Sequence, residues 1–149
     1  MPYSELLDSL IHTARHGAGF VLGHYRRIVP SAVQFINEDD PRVYLCFPLE
    51  DHPRATIEEM LALTEEWLRE RAARPETCAL ALVTEVQRDG QRLMALQAET
   101  RREAVLLHYP IRKKLLGWTF GEPQVAEEPP PDRLLPALPS APEGGARQL

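Results

Sequence analysis

The dipeptide Asp89-Gly90, set between two runs rich in Val, Leu and Ala, constrains this chain more than any other feature. Asp-Gly supplies the positive φ angles of a two-residue type I′ turn, whose twist matches that of the strands it joins. With the turn centred there, Val86 faces Leu93, Thr84 faces Ala95, Leu82 faces Gln97 and Leu80 faces Glu99. A second reversal over residues 100–103, four polar residues without Gly, centres on Arg101-Arg102. It sets Ala95 opposite His108 and Gln97 opposite Leu106. Residues 78–109 therefore read as three consecutive antiparallel strands.

Period-two alternation sorts these strands into two faces. One carries Ala79, Ala81, Val83, Met94, Leu96, Ala98, Val105, Leu107 and Tyr109; it is apolar throughout, and its small residues suit close approach of a helix. The other carries Leu80, Leu82, Thr84, Val86, Leu93, Gln97, Glu99, Leu106 and His108, a mixed set.

Upstream, Ser4 caps a helix whose Leu6, Leu7, Leu10, Ile11 and Ala14 share one side, and Gly17 and Gly19 are expected to stop it after about three turns. Residues 18–29 admit either a further helical turn or a strand. Residues 32–36 and 42–47 read as a β-hairpin around an acidic, Pro-containing turn. Pro48 and Pro53 bracket a loop leading to the clearest helix, residues 57–74. Thr56 and Glu59 form its capping box, and Ile57, Met60, Leu61, Thr64, Trp67 and Leu68 trace one face.

Strand 42–47, helix 57–74 and strand 78–86 together suggest a parallel crossover. The predicted fold is α+β, a single mixed, mostly antiparallel sheet of about five strands with an N-terminal helix and one long capped helix packed on it. Residues 118–120 are expected to add a short edge strand. The order of a Val-Pro strand, a capped helix and a meander resembles that of small prokaryotic and phage proteins, and this resemblance implies no activity.

The chain has 149 residues, 44% hydrophobic and 26% charged, which fits one globular unit with a real core. We assign residues 1–121 to a single α+β domain. The densest run of the 14 prolines follows Gly121, and the stretch bears a formal charge of −3 of the chain's −5. Residues 122–149 are therefore expected to be a disordered, Pro-rich acidic tail. Within it PDRLLPALP, with Leu134, Leu135 and Leu138, reads either as a short docking motif or as solubilising chain.

A pI near 5.5 without a basic block argues against a dedicated nucleic-acid binder. The positive spots are Arg101-Arg102 and Arg112-Lys113-Lys114, which leave nucleic-acid contact as the weakest alternative. Cys46 and Cys78 sit in apolar strand patterns, as buried reduced thiols do. No membrane-length apolar run or leader pattern is present, so cytoplasmic residence and no membrane partner are expected. GxSxG, P-loop, GxGxxG and CxxC motifs are absent from the sequence, and no cofactor is expected.

Three constellations could carry chemistry. His12 and His16, four apart on one helix, with His24 beyond, have metal-ligand spacing, but the Glu of HExxH is missing and Thr13 stands there. Solvent-facing histidines on the polar side of the helix are the preferred reading, because a catalytic metal needs a third protein ligand and the sequence places none. His108 and Glu99 share the mixed face and could form an acid-base pair, although Glu99 sits two pairs away along the strands. Asp51 and His52 precede the capped helix, where flanking prolines also explain them as a rigid helix entry.

The mixed face itself is the sharper candidate. If both helices cover the Val83 side, then Leu80, Leu82, Val86, Leu93, Gln97 and Leu106 form an open patch for a protein partner or a homodimer. If the first helix lies over them, they are core. The expected function is protein-protein interaction or self-association through that face, and the alternative is a small-ligand-binding or hydrolytic enzyme using the His and Glu residues.

Overall fold

The computed structural model describes residues 3–126 and 132–135. In chain order the elements are α1 (Glu5–Tyr25), β1 (Ser31–Ile36), β2 (Arg42–Cys46), α2 (Pro48–Asp51), α3 (Ile57–Ala72), β3 (Thr77–Arg88), β4 (Gln91–Thr100), β5 (Ala104–Lys114), β6 (Gly117–Phe120) and β7 (Gln124–Val125). The fold is α+β: one seven-stranded sheet in the order β2-β1-β3-β4-β5-β6, with β7 alongside β5, and all its ladders antiparallel. The short edge strand expected at residues 118–120 is β6, and β7, not among the expected strands, brings the count to seven on the outer edge of β5. Among the described residues no helix is long and apolar enough to cross a membrane.

The meander has the register its turns dictate. Asp89 and Gly90 take φ of 52° and 78°, and the Val86, Thr84, Leu82 and Leu80 pairings with β4 are those set by the Asp-Gly turn. At the second turn the Thr100 hydroxyl accepts from the N–H groups of Arg102 and Glu103 at 3.2 and 3.0 Å, doing the work a glycine would otherwise do. Ala95 then pairs with His108 and Gln97 with Leu106.

The parallel neighbour expected for β3 is not β2. β1 lies between them, pairing antiparallel with both, because hairpin closure brings β1 and β2 together first and leaves the free edge of β1 for β3. β2 is thereby an edge strand. The helix between β2 and β3 is capped as expected, Thr56 and Glu59 exchanging bonds of 2.8 and 3.1 Å.

The first helix does not stop at Gly17 or Gly19. It runs to Tyr25 and ends at Arg26, whose φ of 62° is left-handed and whose N–H donates to Leu22 O at 2.7 Å. Three interior glycines each cost about 1 kcal/mol relative to alanine. Against that, Leu7, Leu10 and Leu22 are fully buried, contributing together about 5–9 kcal/mol. Their stripe, completed by Ala14 and Ala18, packs on Ala79, Ala81, Val83, Met94, Leu96 and Ala98. Residues 18–25 are thus helical, and α1 covers the wholly apolar face.

α3 covers the opposite face, where Leu68 and the half-buried Trp67 pack with Ala32, Leu80 and Leu82. The two helices therefore sandwich the sheet, with the β2 edge exposed between them.

Candidate functional site

The histidines and acids singled out in the sequence are spread over the molecule. His12 and His16 lie on the exposed side of α1 with rings stacked at 6.2 Å, while His24 sits edge-on to Tyr25 at 4.6 Å. No three His, Cys, Asp or Glu side chains come together as metal ligands among the described residues. Asp51 and His52 are exposed at the end of α2, which closes with His52 N–H on Pro48 O at 2.7 Å. His108 is buried opposite Ala95, and Glu99 pairs along the same ladder with Ala104, four residues from His108. The described bonds of the Glu99 carboxylate run to Gln97, Arg133, Leu134 and Leu135.

The basic spots also stand apart. Arg101-Arg102 lies at one end of β5 and Arg112-Lys113-Lys114 at the other, about 30 Å away at 3.3 Å per residue.

Of the six positions expected to form an open patch, Leu80, Leu93 and Gln97 are buried, and Leu82, Val86 and Leu106 half-buried. α3 accounts for Leu80. The second cover is the segment 132–135: Leu135 is fully buried among Ala32, Leu68 and Leu80, and Leu134 packs at the rim of the same cluster. The stretch expected to be an unstructured tail thus differs at two places. Gln124–Val125 pairs with β5, and residues 132–135 dock on the sheet; Leu138 lies outside the described residues.

A sizeable apolar concavity lies elsewhere, at the sheet edge. A groove of about 910 Å³ runs past β2 between α1 and α3. Strand alternation divides its wall. Val43 and Leu45 pair with Phe35 and Val33 of the α1-side core, so they face α1 and the highly exposed Phe20. Tyr44 and Cys46 face α3, where the Arg71 guanidinium lies 4.6 Å from the Trp67 ring and 5.8 Å from Tyr44. Such stacking fixes a cation against apolar surface without removing it from water altogether. Glu50, Asp51, Glu66 and Glu70 line the groove and make it acidic.

Burial pushes the Cys46 thiol above its usual pKa, and the Asp51 charge adds to the rise against the Thr64 hydrogen bond and Arg71. Cys46 is therefore a packing residue rather than an activated nucleophile. A parallel crossover would have placed β2 inside the sheet, which hides this edge from sequence. The available signal was the pair Pro41 and Pro48, since prolines at both ends of a short apolar strand suit an edge.

No family model matches the chain, and no curated protein or solved structure proves similar to it.

Proposed function

We propose that this chain acts by self-association, the outer edge of β2 pairing with the same edge of a second copy. The observation that carries the reading is exposure. Val43, Tyr44 and Leu45 stand 46, 40 and 67% exposed on a strand with no neighbour beyond it among the described residues. Every second residue of an edge strand turns its N–H and C=O outward, which makes the edge a template for another strand unless charge, proline or a bulge blunts it. Within β2 only Arg42 is charged.

A second copy satisfies this edge on geometric grounds. Antiparallel pairing about a two-fold axis through Tyr44 uses all five residues of β2. It sets Val43 of each copy opposite Leu45 of the other, on the side where Phe20 stands exposed. Apolar cross-strand pairs of this kind contribute about 0.2–1 kcal/mol each, beyond the area they remove from water. A one-residue slip would set a side chain of the α1 side opposite one of the α3 side, so the register is specified.

Sedimentation equilibrium tests the reading. The wild-type chain is expected to form a dimer as concentration rises from low micromolar to submillimolar. Leu45→Lys is expected to stay monomeric with unchanged circular dichroism, because the side chain is mostly exposed and its replacement costs the monomer no more than about 0.5 kcal/mol. A wild-type chain that remains monomeric over that range would overturn it.

A further inference from the structure

We propose that the sheet face around Glu99 is a peptide-binding site for a short bent segment in which arginine precedes two leucines, and that residues 132–135 of this chain are its resident ligand. The site is built on rigid strands, whereas the ligand lies 33 to 36 residues further along the chain and contributes through four consecutive residues.

Each of the four is read separately. The Asp132 carbonyl accepts from Gln97 Nε2 at 3.0 Å. Arg133 donates through Nε to Glu99 Oε1 at 2.9 Å and through Nη2 to the Thr100 carbonyl at 2.8 Å. The Leu134 N–H reaches both carboxylate oxygens at 2.9 and 3.0 Å, and the Leu135 N–H reaches Oε1 at 3.0 Å. The Leu135 side chain fills the pocket formed by Ala32, Leu68 and Leu80. Backbone bonds for hold, one cation shared between a carboxylate and a neighbouring carbonyl for orientation, and one apolar anchor for selectivity are the parts of a peptide-recognition site.

The carboxylate explains why the face is a receptor and not simply core. Glu99 is 1% exposed, stands opposite Leu80 in the ladder, and among its described bonds accepts from the Gln97 amide of its own strand at 2.7 Å. Its remaining described donors all come from residues 133–135. Covering a carboxylate without giving it donors is costly, so a segment that buries Glu99 must bring donors of its own, which selects for this chemistry. An Arg-Leu-Leu segment presented by another protein offers the same donors, in competition with the covalently attached one.

The probe is a fluorescent synthetic peptide with the sequence of residues 130–138, and the receptor is the full chain carrying Arg133→Ser and Leu135→Ser. Anisotropy is expected to show saturable binding to this chain, at least about tenfold tighter than to wild type, whose own segment leaves only a minor fraction of sites open. Adding Glu99→Ala, or changing the peptide's arginine to alanine, is expected to abolish it. A folded double variant that shows no saturable binding up to about 1 mM peptide would overturn the proposal.

If that variant fails to fold, the wild-type chain decides. Its Leu134 and Leu135 amides are expected to be protected from hydrogen exchange and to lose that protection when unlabelled peptide is added in excess. Amides that exchange freely from the start, or that stay protected in excess peptide, would count against it.

Discussion

Thr77→Val tests the packing of α3 on the sheet with a change of almost no volume. Thr77 is buried at the start of β3, and its hydroxyl accepts from Gln34 Nε2 at 2.7 Å while donating to the Arg71 carbonyl at 2.7 Å. Gln34 is equally buried, and its Oε1 accepts from Arg71 Nη1 at 3.0 Å. Valine leaves the Gln34 amide a buried donor without this acceptor, at a cost of about 1–3 kcal/mol. The Arg71 carbonyl loses less, about 0.5–1 kcal/mol, because it also accepts from Arg74 N–H at 3.1 Å. Together these give about 1.5–4 kcal/mol, or a fall in Tm of about 4–15 °C for a chain of this size. Urea unfolding followed at 222 nm reads the change as a shift in midpoint at constant slope. Thr77→Ser, which keeps the hydroxyl, is expected to recover most of it. A Thr77→Val loss below about 0.5 kcal/mol would refute the reasoning, since it would mean that the buried Gln34 donor needs no partner here.

Two further outcomes follow from the same structure. Burial raises the Glu85 carboxyl pKa, but the Arg92 hydrogen bonds at 2.7 and 2.9 Å, the Ile28 N–H at 3.0 Å and the charges of Arg92 and Arg27 outweigh it and hold the pKa below the usual range. The stability from Glu85 is therefore fully present above about pH 4.3 and lost as pH falls through the lower folded value. Glu85→Gln is expected to cost about 1–2 kcal/mol at pH 7 in this partly exposed pair, and urea midpoints should converge with wild type in acid; a constant difference across pH would contradict this. Gly23 lies inside α1 with open space where a Cβ would stand, so Gly23→Ala is expected to stabilise the chain by about 1 kcal/mol in thermal unfolding, and a loss of stability would count against the helix as described.

How much of this was legible in the sequence varies with the range of the forces involved. The meander register was legible because Asp89-Gly90 restricts the turn to two residues, and every pairing along β3 and β4 then follows by counting. The capping box at Thr56 was legible for the same local reason. The length of α1 was not, because local glycine cost argues for a stop while the burial of Leu22, which overrides it, depends on a sheet formed much later in the chain. The position of β2 was hidden in a choice of neighbours: both β2 and β1 read as strands, and only hairpin closure decides which of them meets β3. Least legible was the segment 132–135. It has no periodicity, and its hold is one carboxylate on a distant strand, which in sequence looked like a partner for His108 or a solvated side chain.

The most direct test of β2-to-β2 self-association is oxidative cross-linking of Tyr44→Cys in a chain whose Cys46 and Cys78 are replaced by Ser. In the proposed register the two substituted positions face each other across the two-fold axis, where opposed residues of an antiparallel pair have Cα atoms about 4.5–5.5 Å apart, within disulfide reach. The account predicts rapid formation of a disulfide-linked dimer under mild oxidation, blocked by adding Leu45→Lys. Failure to cross-link at concentrations where the chain sediments as a dimer would contradict pairing through this edge.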